Sequence, residues 1–176
     1  MLYLDTSALV KLYLDEPDRK AVTTAVSKEA IVATQEIAYI EAHAAFSRAE
    51  REGRLSHVEL ERLRNDFDRD WPNYLVIRVS QPLLEQAVKL VDSFALRAYD
   101  AMHLSAAQTL ARDSVEPLLF ACFDRRLSRA AGILGMDLIG QPGACLLVFF
   151  LVGSGDAARQ DRKKAGGASK KRSAVA

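Results

Sequence analysis

The chain has 176 residues, of which 49% are hydrophobic and 27% charged, a balance that fits one globular domain with a sizeable core and excludes a disordered chain. The formal net charge is +1, but residues 143–176 contain seven Lys or Arg and two Asp, a net +5, which leaves −4 for residues 1–142. A mildly acidic domain argues against a broad DNA-coating surface, although it allows a local basic rim around an acidic centre and does not exclude RNA.

Cysteine usage and hydropathy indicate a cytoplasmic protein. The chain has two cysteines, Cys122 and Cys145, with no CxxC pair and no zinc-finger spacing, so we interpret them as buried or idle thiols. Asp5 interrupts the first apolar run and no signal-peptide core follows. The apolar run over residues 145–152 is far shorter than the roughly 20 residues that span a bilayer, and we expect no membrane association.

Short apolar runs and amphipathic stretches alternate through the first part of the chain. The pattern predicts, in order, a strand over residues 2–4, a helix over 8–14, a helix over 19–28, a strand over 31–33, and a helix that Thr34 caps and that runs to about Gly53. Asp5, Thr6 and Ser7 supply capping side chains to the first of these helices.

Glu41 lies within the long helix predicted after Thr34. In that helix the apolar side is marked by Ile37, Ile40, Ala44 and Ala45, and Glu41 falls on the same side. A carboxylate among apolar residues requires an explanation, which makes Glu41 a candidate for a functional role.

The remaining elements continue the alternation. Ser56 and Glu59 have the spacing of a capping box, and Pro72 ends the helix that follows. The pattern then predicts a strand over 75–79, a helix over 83–94 with Pro82 near its start, a helix over 101–112 introduced by Tyr99 and Asp100, a strand over 118–123, a helix over 125–134 and a strand over 136–139. Strands alternating with helices predict an α/β fold with a mainly parallel sheet covered on both faces.

Four carboxylates, Asp5, Glu41, Asp100 and Asp124, are predicted at one edge of the sheet. Asp5 and Asp124 follow strands, and Glu41 and Asp100 belong to helices that can lean over the carboxyl ends of those strands. Ligands bind at the carboxyl ends of the strands in sheets of this kind. Two carboxylates about 4 Å apart would repel by roughly 4 kcal/mol at an effective dielectric near 20, and a divalent cation is the simplest remedy. We therefore predict one shared acidic metal site.

Each acid also has a simpler interpretation. Asp5, Asp100 and Asp124 can each serve as a helix cap or a charge at a helix start, and Glu41 can be a partly exposed residue on a helix edge. These interpretations do not explain why four acids share one predicted edge. His103, three residues after Asp100, is interpreted as a structural histidine and left outside the catalytic set.

Four segments together carry a resemblance to a known family: Leu4 to Leu9 with Asp5-Thr6-Ser7, Glu41 in a helix, Tyr99 to Leu104 with Asp100-Ala101-Met102-His103, and Phe123-Asp124. In this order and context they resemble the PIN-domain ribonucleases, and among them the VapC-type toxins. The similarity covers about residues 1–142. It implies a PIN-like three-layer α/β/α fold. Residues 143–176 lie beyond the resemblance and differ in composition, which predicts an extension made of an apolar segment and a basic, disordered tail that either adds nonspecific RNA affinity or is incidental.

The resemblance implies a Mg²⁺- or Mn²⁺-dependent endoribonuclease with Asp5, Glu41, Asp100 and Asp124 at the metal site. Hard oxygen ligands suit these cations. Asp5 and Asp100 are the expected direct ligands, and one or two metals remain open. It also implies an RNA substrate, a small antitoxin protein as partner, a homodimer formed through the helices of residues 34–71, and a toxin that limits translation.

Other positions leave alternatives open. Thr6 or Ser7 either contacts the substrate phosphate or holds Asp5, and Arg125 and Arg126 either reach RNA phosphates or form surface ion pairs. The family commonly has Thr or Ser two residues before the fourth acid, whereas this chain has Cys122, whose thiol is a poorer hydrogen-bond partner.

Other functional classes with acids at strand ends fit this sequence less well than a nuclease. A receiver domain would have paired acids after the first strand, and a haloacid-type phosphatase would have Asp-x-Asp, which Ser7 excludes. The serious alternative is a catalytically weak or inactive PIN-fold module that binds RNA or acts as a scaffold, because a motif does not establish turnover.

Overall fold

The structure is a computed structural model that describes residues 1–115 and 117–139. In this part of the chain, five short strands form one sheet in the order β3-β2-β1-β4-β5, with every neighbouring pair parallel. The strands are β1 Leu2–Leu4, β2 Val32–Gln35, β3 Leu75–Ile77, β4 Leu119–Ala121 and β5 Asp137–Ile139. The predicted α/β fold is confirmed, while the predictions for residues 143–176 lie outside the described residues.

Helices cover both faces of the sheet. They are α1 Thr6–Leu9, α2 Arg19–Val26, α3 Ala38–Arg51, α4 His57–Asp70, α5 Gln81–Phe94, α6 Ala98–Asp113 and α7 Arg125–Ile133. Successive residues of β1 point to opposite faces: Leu2 and Leu4 pack in the core under α1 to α4, and Tyr3 packs in the core under α5 to α7. The result is a three-layer α/β/α sandwich. In the described residues no helix combines the length and apolar character needed to cross a membrane.

The sheet has a topological switch point between β1 and β4. From β1 the chain builds outward through β2 to β3, and it then returns to place β4 on the other side of β1. Crevices for ligands form at the carboxyl ends of strands at such a point. Leu4 pairs with Ala121, and the Asp5 amide donates to the Ala121 carbonyl at 3.1 Å. The residues that follow β1 and β4 are therefore neighbours at this edge.

The predicted long helix starts later than expected. Thr34 does not cap it but lies inside β2, where its hydroxyl donates to the Leu4 carbonyl at 2.8 Å, and α3 begins at Ala38. A buried β-branched residue fits a central strand, so the strand extends through the position assigned to the cap. The predicted helix over 8–14 is also shorter, because α1 ends at Leu9 and a 3₁₀ turn, Val10–Leu12, follows.

The apolar face of α3 differs from the predicted one. Its buried residues are Ala38, Ala42, Phe46 and Ala49, whereas Ile40 is 68% exposed. Glu41 adjoins the buried stripe rather than lying in the middle of it. The prediction that this carboxylate has a special environment therefore needs support from its contacts.

Candidate active site

Asp5 lies at the carboxyl end of β1 and caps α1. It is 6% exposed; its Oδ1 accepts hydrogen bonds from Ser7 Oγ at 2.8 Å and from the Ala8 amide at 3.0 Å. Burial raises the pKa of Asp5 above its usual range, and the lowering effects of His103 and of its hydrogen bonds do not cancel that rise. Among the described residues no Lys or Arg forms an ion pair with Asp5. Its ionised form therefore favours an added cation.

Glu41 lies in the first turn of α3, and its partners are Thr6, one residue after Asp5, and His103 of α6. Thr6 Oγ1 donates to Glu41 Oε2, and His103 Nε2 lies 3.0 Å from the same oxygen. Burial alone would raise the pKa of Glu41, but the hydrogen bonds from His103 and Thr6 outweigh it, and the pKa is lowered. Glu41 is therefore an anion at neutral pH.

His103 joins the acids to the core, a role that the sequence did not reveal. It is buried, with Nε2 facing Glu41 and Nδ1 3.0 Å from the Tyr3 hydroxyl. Because a carboxylate only accepts, Nε2 must carry a proton, and Nδ1 forms the second hydrogen bond of the ring, with the Tyr3 hydroxyl. Tyr3 is itself fixed by stacking on Phe120, with ring centroids 5.4 Å apart. The available signal was a tyrosine in an otherwise aliphatic strand together with a histidine one turn after Asp100.

Asp100 and Asp124 form the second half of the acidic group. Asp100 is half-buried in the first turn of α6, and burial, followed by the charge of Asp124, raises its pKa. Asp124 is exposed and caps α7, with Oδ1 accepting from the amides of Arg126 and Leu127, both at 2.9 Å. Asp124 begins α7 as predicted, but β4 ends at Ala121 rather than at Phe123, so two residues separate Asp124 from the strand.

Cys122 lies between Asp5 and Asp124. Its Sγ donates to Asp5 Oδ2 at 3.3 Å and accepts from the Asp124 amide at 3.3 Å. Burial, followed by the charge of Asp5, raises the pKa of this thiol far above its usual range, so it stays protonated and remains a donor. The thiol thus makes a contact with Asp5 that the sequence had placed in doubt.

Ser7 and Thr6 hold acids in place. Ser7 Oγ donates to Asp5 Oδ1 and accepts from the Phe123 amide at 2.9 Å, which ties the chain after β4 to the chain after β1. Thr6 donates to Glu41. Of the two alternatives for these hydroxyls, this geometry favours holding the carboxylates over contacting substrate.

Arg125 and Arg126 differ in their surroundings. Arg126 Nη1 donates to the Ala95 carbonyl at 2.7 Å, whereas the exposed Arg125 side chain forms no ion pair with any residue that the structure describes. Both line a cavity of about 480 Å³ that also contains Asp100 and Asp124. Arg125 is therefore the freer of the two to meet an anion.

Electrostatics connects the four acids into one group. The charge of a protonated His103 lowers the pKa of Asp5, Glu41 and Asp100, and Asp100 responds to Asp124. Over residues 1–115 and 117–139, however, no three Asp, Glu, His or Cys side chains are placed so that they could hold a metal ion as they stand. The donor chemistry suits Mg²⁺ or Mn²⁺, but the side chains do not form a closed cage.

Comparisons with known proteins agree with this architecture. The family model described as "PIN domain" matches residues 2–133. Ribonuclease VapC46 from Mycobacterium tuberculosis is 31% identical over 144 residues, covering 78% of this chain and 95% of that protein.

Solved structures share the fold. A toxin-antitoxin complex from Klebsiella pneumoniae contains a chain that matches with a TM-score of 0.52 and 20% identity, covering 70% of this chain and 87% of that chain. Mycobacterium tuberculosis VapC20, a sarcin-ricin loop cleaving toxin, matches with a TM-score of 0.55 and 18% identity, covering 74% and 95%. The parallel sheet, the acids at its switch point and the match over residues 2–133 lead to one conclusion: this chain belongs to the PIN-domain family.

Proposed function

We propose that the protein is a metal-dependent endoribonuclease that cleaves RNA phosphodiester bonds and acts as the toxin of a toxin-antitoxin pair. The observation that carries the proposal is the buried Asp5 at the switch point, which has no ion-pair partner among the described residues and which, like Glu41 and Asp100, interacts electrostatically with His103. The names of the relatives, ribonucleases of the VapC type, support the substrate class.

Asp5 and Asp100 are the residues that we assign as direct ligands of Mg²⁺ or Mn²⁺, with Glu41 and Asp124 acting directly or through water. When bound, such a cation would supply an activated water and stabilise charge on the scissile phosphate. Hydrolysis would form a bond from the water oxygen to phosphorus and break the bond from phosphorus to the 3′ oxygen, which would take up a proton, so that a 5′-phosphate and a 3′-hydroxyl would result.

The protein's own contribution is to hold the acids in position. Ser7 and Cys122 fix the two oxygens of Asp5, and Thr6 and His103 fix one oxygen of Glu41. Pre-positioned carboxylates lower the reorganisation needed when substrate and cation arrive.

The proposal includes two protein partners. The solved toxin-antitoxin complex that shares the fold supports a small antitoxin as the inhibitor. For the homodimer, Ile40 on α3 and Val58 on α4 are 68% and 78% exposed, and both lie within the helices of residues 34–71 that we proposed as its interface.

One observation favours the alternative function, a PIN-fold module that binds RNA without cutting it. The acids in the described residues do not form a ready metal cage, and a protein that never assembled one would retain the fold and any RNA affinity but would not turn over.

Cleavage of a mixed RNA pool separates these functions. Purified protein is incubated with Mg²⁺, with Mn²⁺ or with EDTA, beside Asp5→Asn and Asp100→Asn variants whose folding is checked by circular dichroism. Asp92→Asn, an exposed change on α5, is the matched control. The nuclease predicts metal-dependent cuts in the wild type and the control that both site variants lose. RNA binding by the wild type without cutting under any metal condition would select the alternative.

A further inference from the structure

Two arginine-lined clefts contain different members of the acidic group. The first, called here the α3 cleft, has a volume of about 680 Å³ and contains Thr6 and Glu41 together with Arg48, Arg51 and Arg54. The second, the α7 cleft, has a volume of about 480 Å³ and is lined by Asp100, Asp124, Arg97, Arg125, Arg126 and Arg129. Each cleft therefore contains at least one acid of the site and a cluster of arginines.

We propose that a single RNA strand occupies both clefts at once, with its phosphates on the arginines of each cleft and the scissile phosphate over the acids between them. This inference rests on the proposed function, since it names how the substrate of that site is held. It adds the arginines of the α3 cleft to the phosphate contacts that the sequence had suggested at Arg125 and Arg126 and, as one alternative, at Thr6 or Ser7.

The charges of the clefts support an anionic ligand. Residues 1–142 carry a net charge of −4, yet seven arginines collect in these two clefts. In the α3 cleft Arg48 pairs with Glu52 at 3.1 Å and Arg54 pairs with Glu52 and Glu16 at 3.1 and 3.4 Å. The side chain of Arg51 has no ion pair or hydrogen bond among the described residues, and its guanidinium is free for a phosphate.

The α7 cleft also contains arginines whose side chains have no partner among the described residues. Arg125 and Arg129 are exposed and form no ion pair or side-chain hydrogen bond with any described residue. They follow each other at a spacing of four residues on α7, so they lie on one side of that helix. Two unpaired guanidinium groups beside Asp100 and Asp124 can neutralise the phosphates next to the one that is cut.

The arrangement fits a strand better than an acidic peptide. A polynucleotide cut in its interior must leave the acids in two directions, and the clefts supply two basic paths, one that includes Glu41 and one that includes Asp100 and Asp124. The α3 cleft also contains Leu14, Ala44 and Ala45, an apolar surface against which a base can pack without sequence preference. A peptide that only covered the acids would require one cleft.

The test measures RNA binding without cleavage. Fluorescence anisotropy in EDTA follows a labelled single-stranded RNA with the full-length wild type, with Arg51→Gln, with Arg129→Gln and with the double variant. Arg112→Gln is the matched control, because this substitution removes the same charge. Arg112 is exposed and lies near the end of α6, far from Asp100. Loss of one phosphate contact should weaken binding about fivefold at about 0.1 M salt and reduce the slope of log affinity against log salt by about 0.7.

The proposal expects a similar loss for Arg51→Gln and Arg129→Gln, a combined loss of about 25-fold in the double variant, and little change for Arg112→Gln. RNAs too short to reach both clefts should respond to only one of the two changes. Three results would overturn it: a loss for one cleft only with long RNA, an equal loss in the control, or an Arg51→Gln variant that keeps RNA affinity but loses affinity for a polyglutamate peptide.

The two proposals fail separately. A protein that shows this binding pattern but never cuts RNA would refute the nuclease and leave the two-cleft path in place. A protein that cuts RNA in Mg²⁺ while neither arginine affects binding would refute the path and leave the nuclease in place.

Discussion

Replacement of Asp5 by Asn should stabilise the metal-free protein at neutral pH while it abolishes cleavage. The side chain is buried, its pKa is raised chiefly by burial, and it lacks an ion-pair partner among the described residues. Asn retains the oxygen that accepts from Ser7 and Ala8 and removes the desolvated charge. Its new amide group would face the Cys122 sulfur, which can act as a weak acceptor.

The size of the gain follows from what functional sites usually cost. Relief of a strained or desolvated active-site group commonly contributes about 0.5 to 2 kcal/mol, and a chain of this size shifts its Tm by about 2 to 4 °C per kcal/mol. A rise of about 1 to 8 °C is therefore expected for Asp5→Asn in EDTA. Asp92→Asn, where the carboxylate is exposed on α5, should change the Tm by less than about 2 °C.

The pH dependence gives a signature of the mechanism. Because the folded pKa of Asp5 is raised, ionisation of Asp5 destabilises the fold above its ordinary pKa of about 3.9, and the penalty is complete above the folded pKa. Below about pH 3.9 the carboxyl is protonated in both states and the penalty disappears. The Tm advantage of the Asn variant should thus be largest near pH 7 and vanish as the pH falls.

Metal should reverse the order of stability. A cation that binds only the folded wild type adds about 2.7 kcal/mol at a concentration 100 times its Kd, whereas the Asn variant loses a ligand and gains less. Differential scanning fluorimetry with and without Mn²⁺ at pH 7 measures both effects. An Asn variant that is less stable than the wild type in EDTA, or one that Mn²⁺ stabilises as much as the wild type, would refute the reasoning.

Three further predictions concern the residues around Asp5. The pKa of Glu41 is lowered on balance by its hydrogen bonds, so its ionised form stabilises the fold above the ordinary pKa of about 4.3. That stability is lost as the pH falls through the pKa of the folded state. Thermal unfolding as a function of pH should therefore show a shallower loss of Tm at acid pH for Glu41→Gln than for the wild type. Cys122→Ser keeps a donor beside Asp5 and should retain cleavage within a few-fold, whereas Cys122→Ala removes the donor and should reduce it by roughly tenfold or more; equal rates would contradict a role in positioning. His103→Ala leaves the Tyr3 hydroxyl unpartnered and opens a cavity, so the free energy of unfolding measured in urea should fall by about 2 to 4 kcal/mol. If contact with Glu41 is what matters, His103→Gln should recover part of both stability and activity.

Strand and helix types could be predicted from the sequence because their causes are local. The apolar run of β1, the capping box at Ser56 and Glu59 and Pro82 in the first turn of α5 each follow from residues a few positions apart. The start of α3 could not be predicted in this way. Thr34 belongs to β2 because its hydroxyl bonds to a carbonyl of β1 thirty residues away, and a tertiary contact of this kind is invisible to a pattern of neighbours.

The same distinction separates the site residues that the sequence revealed from those that it missed. Asp5 and Asp124 were found because a charge directly after a buried strand is unusual and the strand order of α/β folds brings such ends together. Glu41 was predicted because it falls among apolar residues of a helix, but part of that face is exposed, and its contacts with Thr6 and His103 became visible only in the fold. His103 was set aside because its partners, Tyr3 and Glu41, are distant in sequence and only the fold shows that one ring contacts both.

The contacts of the four acids indicate how a metal site would be completed. Asp5 is buried and both of its oxygens are bound, and one oxygen of Glu41 accepts two donors, so these two carboxylates have little freedom to move. Asp100 is half-buried and Asp124 is exposed, and they repel each other. The open arrangement in the described residues is therefore what four acids without a cation should adopt. We expect the rearrangement on metal binding to be concentrated in the side chains of Asp100 and Asp124, since attraction to a shared cation replaces the repulsion between them.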